Sequence, residues 1–249
     1  MKQEIHTIPV VQALESGDEC PFCHLHRQTE QRAIRYFAGP GASYMEPTVR
    51  GITNQAGFCA DHMQQLYDYG NALGSALMLQ THLEDLLLQL QQQTENYEIP
   101  KKGLFSRKKA SEGTPYPQIL HRRLESCAIC DQMEENMQRQ YRVFLSLTTE
   151  PEFRQLVEAS KGFCFGHFAK LLEEAAAHLP SSQQAWFYPA VYAVMERNLQ
   201  RVKADLDWLI AKYDYRNNDA PWGNSKDALQ RTIQKLSGIY PADPPYRKD

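Results

Sequence analysis

Residues 20–23 read CPFC and residues 57–62 read GFCADH, and the same pair of motifs returns as CAIC at residues 127–130 and GFCFGH at residues 162–167. Between the CxxC and the cysteine of the following GFCxxH lie 35 residues in the first half and 33 in the second. Self-similarity at such a period is typical of a duplicated structural unit. The sequence therefore predicts two related halves, each with one CxxC and one GFCxxH.

Apolar residues recur at helical spacing through both halves, and no alternating strand pattern competes with them. Each half is predicted to hold a helix that starts at the CxxC, a short helix, a helix that starts at the GFCxxH and a long fourth helix. The predicted fold class is all-α, with two pseudo-repeated helical units, each organised around a Cys3His metal site. The predicted helices cover about 20–38, 46–55, 59–69, 72–93, 127–147, 151–160, 164–179, 182–213 and 226–236.

The predicted organisation has four parts. Residues 1–97 form the first repeat, and residues 119–215 form the second. A basic linker with proline and glycine, residues 98–118, separates them, since its composition is that of an exposed connector. Residues 216–249 form a C-terminal loop, a short helix and a tail.

The cysteines are predicted to be metal ligands because the two copies of the motif use all six that the chain has. The first 20 residues lack the apolar stretch of a secretory signal, and no apolar run is long enough for a membrane span. A cytoplasmic location follows as an expectation. Thiols stay reduced there, so cysteine pairs are ligands or redox centres rather than structural disulfides.

Two residues between the donors let a CxxC or a CxxH direct both side chains at one centre, and together they supply four ligands for a tetrahedral zinc ion. We expect each half to close its own site. His24 and His26 are left out because the second half has no matching histidines, whereas His62 and His167 correspond. The predicted ligands are Cys20, Cys23, Cys59 and His62 in the first half, and Cys127, Cys130, Cys164 and His167 in the second.

Two zinc ions per chain are the predicted cofactors. Four protein ligands close the coordination shell, which is typical of a structural ion and leaves no position for a catalytic water. An iron–sulfur cluster is the alternative, although cysteine-only ligation is commoner for clusters.

The predicted partner is another protein of unknown identity. A net charge of −3 in 249 residues argues against nucleic acid as the main partner. Five basic residues within 101–109 of the linker could touch an anionic membrane, but such a run more often only keeps a connector solvated. An apolar seam from Met195 to Tyr213 packs either internally or in a homodimer.

The leading functional hypothesis is a cytosolic zinc-binding helical protein of unknown role that serves as an interaction or scaffold module. The alternative is a thiol redox protein or a metal or redox sensor that uses the CxxC pairs. The chain has no phosphate-binding glycine loop, HExxH or nucleophile elbow. Whether it is an enzyme stays open, with the balance against it, and no catalytic residue is assigned.

The motif order CPFC, GFCxxH, CAIC, GFCFGH, followed by YDYRNNDAPWGNSKDALQRTIQKLSG at residues 213–238, resembles an uncharacterised family of bacterial proteins. Its members are mostly from Gram-positive anaerobes and have only a domain-of-unknown-function label. The resemblance runs from about Ile5 to Gly238. It implies a cytosolic bacterial protein without an assigned activity or substrate.

Overall fold

The computed structural model describes residues 4–95 and 116–241, apart from the side chain of Tyr116. Within these two ranges the chain forms eleven α-helices and two 3₁₀ turns, and no strand. The all-α prediction is confirmed. None of the helices in the described ranges combines the length and the hydrophobicity needed to cross a lipid bilayer.

The helices of the first described range are α1 (Ile8–Glu15), α2 (Pro21–Ala38), α3 (Pro47–Ala56), α4 (Ala60–Tyr69) and α5 (Ala72–Glu95). Those of the second are α6 (Tyr116–Glu125), α7 (Ala128–Leu147), α8 (Pro151–Ala159), α9 (Phe165–His178), α10 (Ser181–Ala211) and α11 (Ala228–Ser237). The 3₁₀ turns are Ser43–Met45 and Tyr215–Asn217. Every helix expected from the sequence is present, whereas α1 and α6 were not expected.

Prolines mark several of the helix starts. Helices α1, α3 and α8 have a proline in the first turn, where its missing N–H costs no helical hydrogen bond. Most of the basic linker predicted at residues 98–118 lies outside the described residues, including its basic run, and so does the end of the C-terminal tail. Helix α6 starts at Tyr116, inside the predicted linker.

The described chain divides into two compact units, and each unit takes segments from both predicted repeats. Of the described residues, unit 1 contains 4–29 and 135–241, and unit 2 contains 30–95 and 116–134. The boundaries fall within α2 and within α7. The compact units therefore do not coincide with residues 1–97 and 119–215, and the duplication itself stays a prediction from the sequence.

Unit 1 has an aromatic core. Phe22 is fully buried and stacks on Tyr141, with ring centroids 4.1 Å apart. Phe144 meets Phe163 edge-on at 5.9 Å and contacts Phe153 at 5.1 Å. Burying one phenylalanine ring contributes roughly 2–3 kcal/mol. Truncation of Phe22 to alanine would remove the centre of this cluster, which typically costs about 3–5 kcal/mol.

Unit 2 has a smaller, mainly aliphatic core. Ile34, Met78 and Ile129 are fully buried, and Phe37 meets Phe58 edge-on at 5.9 Å. Helices α3 and α5 form its most extensive helix pair. The core of each unit includes cysteines from the two motifs, so the thiols lie at the edge of a packed interior.

Candidate metal centres

One group of four donors lies in unit 1 and is called the buried site: Cys20, Cys23, Cys164 and His167. The Nδ1 of His167 is 3.2 Å from the sulfur of Cys164, 3.4 Å from that of Cys23 and 3.5 Å from that of Cys20. The sulfurs of Cys23 and Cys164 are 3.6 Å apart. All three thiols are at most 2% exposed.

The second group lies in unit 2 and is called the open site: Cys59, His62, Cys127 and Cys130. The Nδ1 of His62 lies 3.2 Å from the sulfurs of Cys59 and Cys127, and 3.3 Å from that of Cys130. The sulfurs of Cys59 and Cys130 are 3.9 Å apart. His62 and Cys127 are buried, Cys59 is half-buried and Cys130 is exposed.

Each site is built from two helix N-termini. Cys20 immediately precedes α2, Cys127 precedes α7, Cys59 precedes α4 and Cys164 precedes α9. Their backbone carbonyls accept the first hydrogen bonds of these helices, from the N–H four residues later. The second donor of each motif then falls in the first turn. Helix N-termini favour negative charge, which suits thiolates.

The turn before each CxxH depends on glycine. Gly57 and Gly162 have φ values of 61° and 78°, the left-handed region that other residues avoid. A side chain at Gly57 would meet the ring of His82 at 2.7 Å, and one at Gly162 would meet the sulfur of Met195 at 3.3 Å. The GF dipeptide therefore reverses the chain and places the next cysteine at the helix start.

The spacing of the donors fits one tetrahedral ion in each site. Zinc–sulfur bonds of about 2.3 Å and zinc–nitrogen bonds of about 2.0–2.1 Å give tetrahedral edges of about 3.8 Å for S···S and about 3.6 Å for S···N. One S···S distance in the buried site is 3.6 Å and one in the open site is 3.9 Å, and the S···N distances run from 3.2 to 3.5 Å. In each site all four donor atoms lie within 4.8 Å of one another. Both groups can therefore hold a metal ion.

The structure brings all eight predicted donors into these two groups but pairs the motifs differently from the prediction. Within-half pairing was wrong: the CxxC of α2 meets the CxxH of α9, and the CxxC of α7 meets the CxxH of α4. The exchange follows the core packing, because Phe22 of the first CxxC is buried beside Phe144 and Phe163 from the second half. Ile129 of the second CxxC is buried in the core that also contains Phe37 and Phe58.

In the buried site, hydrogen bonds between the donors shift their pKa values. Burial alone would lower the pKa of His167, but the hydrogen bonds to Cys164 and Cys20 and the negative charge of these thiolates raise it to about 10. Hydrogen bonds from Cys20 and then Cys23 hold the pKa of Cys164 below its usual value. Hydrogen bonding to Cys164 raises the pKa of Cys23. The cluster thus stabilises a thiolate beside an imidazolium, and a divalent cation that binds there must displace protons.

In the open site, too, burial and hydrogen bonds between the donors shift their pKa values. Burial opposes ionisation of Cys127, yet the hydrogen bond from His62 lowers its pKa to about 6. Burial would lower the pKa of His62, but its contacts with Cys127 and Glu30 outweigh burial and raise the pKa to about 10. Burial and the charge of Cys127 raise the pKa of Cys130.

Two contacts around the sites were not expected from the sequence. The carboxylate of Glu30 lies 3.4 Å from Nε2 of His62, the ring nitrogen that faces away from the sulfurs. A carboxylate in this position fixes the ring orientation and makes the other nitrogen a better ligand. The carbonyl of Gly238, at the end of α11, lies 3.4 Å from the sulfur of Cys23. Neither residue belongs to a repeated motif, so the sequence carried no signal for them.

His24 and His26 lie outside both groups, in line with their omission from the predicted ligands. The Nε2 of His24 is 2.7 Å from the side-chain nitrogen of Gln28, and burial lowers the pKa of His24. The ring of His26 is 6.1 Å from that of His167, centroid to centroid.

Comparison with known families gives one result. Residues 1–243 match a family model described as "Family of unknown function (DUF6062)". The chain belongs to this family. The resemblance drawn from the motifs is thereby confirmed at the level of a family of unknown function, while its bacterial origin stays a prediction. No curated protein and no solved structure matches the chain.

Proposed function

We propose that this DUF6062 protein binds two zinc ions, one in the buried site and one in the open site. The observation that carries the proposal is the convergence of all six cysteines and two histidines, from four helix starts, into two groups of four donors. Three thiolates and one imidazole are the soft and borderline ligands that zinc prefers. The eight residues named as ligands are the same ones that the duplicated motifs predict.

The space between the donors favours zinc over an iron–sulfur cluster. With every donor atom of a site within 4.8 Å of the others, the enclosed volume suits one ion. A cluster needs room for several iron and sulfide atoms between its ligands.

We infer that the ions hold the helices in place and that the protein serves in the cytoplasm as an interaction or scaffold module. Structural zinc can contribute on the order of 10 kcal/mol to folding, about the whole stability of a typical domain. An exposed apolar stripe on α5 supports a protein partner or a second copy of this chain, since such patches mark interaction sites. Its leucines are Leu79, Leu83, Leu87 and Leu90, which are 39–58% exposed.

Metal analysis tests the proposal directly. Protein purified without added metal should contain two zinc ions per chain and show no visible absorption, and a strong chelator should unfold it. Iron with a visible chromophore would contradict the assignment to zinc. A protein that keeps its helical content and thermal transition after complete metal removal would contradict the structural role.

A second candidate function, a thiol-based redox or metal sensor, rests on one feature of the open site. Cys130 is exposed and Cys59 is half-buried, so oxidants and chelators can reach these sulfurs. The sensor hypothesis predicts that mild peroxide rapidly releases one zinc ion, that a thiol reductant restores its binding, and that the second ion stays bound throughout. Release of both ions at one slow rate, or no release without unfolding, would rule out a sensor at the open site.

A further inference from the structure

Unit 1 contains a cavity of about 610 Å³ that none of the eight metal donors lines. The end of α8, the middle of α10 and the segment just before α11 form its walls, and Glu19 completes it. The volume lies in the range of small-molecule pockets. Ten of its twelve lining residues have polar or charged side chains, so the polar groups of a ligand would find partners there.

The cavity is strongly cationic, although the whole chain has a net charge of −3. Two acidic side chains line it, Glu19 and Asp227, against five basic ones. Clefts lined by charge of one sign concentrate ligands of the opposite sign. The five basic residues are Lys161, Arg197, Arg201, Lys226 and Arg231.

Ion pairs within the protein neutralise some of the basic side chains of the cavity and leave others available to a ligand. Arg231 is held by Asp205 and Asp227, so its charge is locally balanced. Arg197 bonds to the backbone carbonyl of Glu158, a neutral acceptor. Among the described residues, neither Arg197 nor Lys226 has an ion pair.

Part of the cavity lining is held in place before any ligand arrives. Arg201 donates to Glu19 at 2.6 Å and to the side chain of Asn198 at 3.1 Å. Asn198 is buried and donates to the carbonyl of Ser160 at 3.1 Å. The ammonium of Lys161 lies 3.9 Å from Glu19. Ordered guanidinium groups are matched in shape to the oxygen pairs of phosphate and carboxylate.

We propose that this cavity is a binding site for a small phosphate-bearing ligand. Five basic side chains line the cavity against two acidic ones, and Asp205 pairs with Arg231 from outside the lining, which leaves an excess of two positive charges. That excess suits a doubly charged phosphoryl group better than a single carboxylate. The site is distinct from both metal sites and needs no metal chemistry, so it does not depend on the zinc assignment.

One connection joins the cavity to the buried site within unit 1. Lys235 of α11 is fully buried, lies 3.2 Å from the carboxylate of Glu19 and bonds to the carbonyls of Glu19 and Lys161. Glu19 directly precedes Cys20, and the end of α11 brings the carbonyl of Gly238 to Cys23. Phosphate binding should therefore raise the thermal stability of unit 1.

The test is calorimetric titration of the full chain, with its native metal, by inorganic phosphate and by pyrophosphate in a chloride buffer. We expect saturable binding of one ion per chain. The variants Arg197→Gln and Lys226→Gln should each weaken it about tenfold, since a hydrogen bond to a charged group is lost. Both side chains are on the surface, so folding should be unaffected, and metal content and circular dichroism in the same samples verify this.

Lys203→Gln is the matched control. Lys203 also lies on α10 and pairs with Asp207 at the exposed surface, away from the cavity lining. This variant should bind phosphate within about twofold of the parent. Absence of saturable binding, or equal weakening by all three variants, would overturn the proposal. Tighter binding of single-stranded RNA or anionic vesicles than of pyrophosphate, lost in the same two variants, would also overturn it in favour of a polymer or membrane surface.

Discussion

The buried site and the open site have the same four donor types at the same helix positions, but water reaches them differently. In the buried site all three thiols are at most 2% exposed, whereas the open site has the exposed Cys130 and the half-buried Cys59. Closed, dry thiolate sites are inert, and accessible thiolates react. The same set of donors is therefore shielded from solvent in one unit and chemically accessible in the other.

The residues inside the two CxxC motifs account for part of this difference. Phe22 packs into an aromatic cluster beneath the buried site, whereas its counterpart Ile129 joins a smaller aliphatic core. Ala128 donates a backbone hydrogen bond of 3.0 Å to the carbonyl of Gly57. The corresponding residue in the first motif, Pro21, has no N–H to donate. The CxxC of the buried site is therefore held by side-chain packing, whereas that of the open site also has a backbone hydrogen bond to the GFCxxH turn.

The largest expected effect comes from removing one ligand of each site. Cys164→Ser should lose one zinc ion and about 5 kcal/mol or more of apparent unfolding free energy, because the ion fixes the core of unit 1. Cys130→Ser should also lose one ion, with about half that cost. Urea denaturation measures both effects. All three tryptophans lie in unit 1, so their fluorescence reports on that unit alone.

The tryptophan transition supplies an internal control. In Cys130→Ser it should stay within about 1 kcal/mol of the parent, since proteins open in cooperative units and the lost ligand lies in unit 2. If both variants lost the same stability as measured by tryptophan fluorescence, the claim that only the buried site stabilises unit 1 would be wrong.

Replacing the glycine of either GFCxxH turn by alanine should lower the free energy of unfolding by a smaller amount, and by different amounts in the two turns. Gly57→Ala should cost about 3 kcal/mol, because a positive φ is combined with a clash against the rigid ring of His82. Gly162→Ala should cost about 1–2 kcal/mol, since the sulfur of Met195 can move. Helical content followed during thermal unfolding measures both.

Gly51→Ala is the control for these variants. Gly51 lies inside α3, and a methyl group added there would meet no atom within 4 Å, so alanine should stabilise the protein by about 0.5–1 kcal/mol. If Gly162→Ala proved more damaging than Gly57→Ala, the contacts assigned to the two turns would be wrong.

The smallest effect concerns the carboxylate beside the histidine of the open site. Glu30→Gln should weaken zinc binding at the open site about tenfold, because the ring of His62 loses its charged partner. Competition with a chromogenic chelator measures this affinity. Glu174→Gln is matched, since Glu174 also lies 3.4 Å from a histidine, His178, but at no metal site. An unchanged open-site affinity in Glu30→Gln would show that the carboxylate contact is incidental.

The fold class and the donor residues could be predicted from the sequence because both depend on local pattern. Helical periodicity and the CxxC and CxxH spacings are short-range signals, and a cysteine before a helix start places the next donor one turn on. The glycine of each GFCxxH is a similar short-range signal, since glycine tolerates a backbone with positive φ that other residues avoid.

The pairing of the motifs could not be predicted because both CxxC motifs offer the same donors. Proximity along the chain favoured within-half pairing, with 35 residues between Cys23 and Cys59, whereas Cys23 and Cys164 are 141 positions apart. Closing the longer loop costs only about 1 kcal/mol more. Burial of Phe22 in the aromatic core of unit 1 is worth roughly 2–3 kcal/mol and exceeds that difference. Tertiary packing therefore decides the partners.

Zinc content of two double variants tests the crossed pairing most directly. Cys23→Ser with Cys164→Ser damages only the buried site, so this variant should keep one zinc ion per chain. Cys23→Ser with Cys59→Ser damages both sites and should keep none. The reverse result, with one ion retained in the Cys23 and Cys59 variant and none in the Cys23 and Cys164 variant, would show that each half of the sequence closes its own site and would contradict the account.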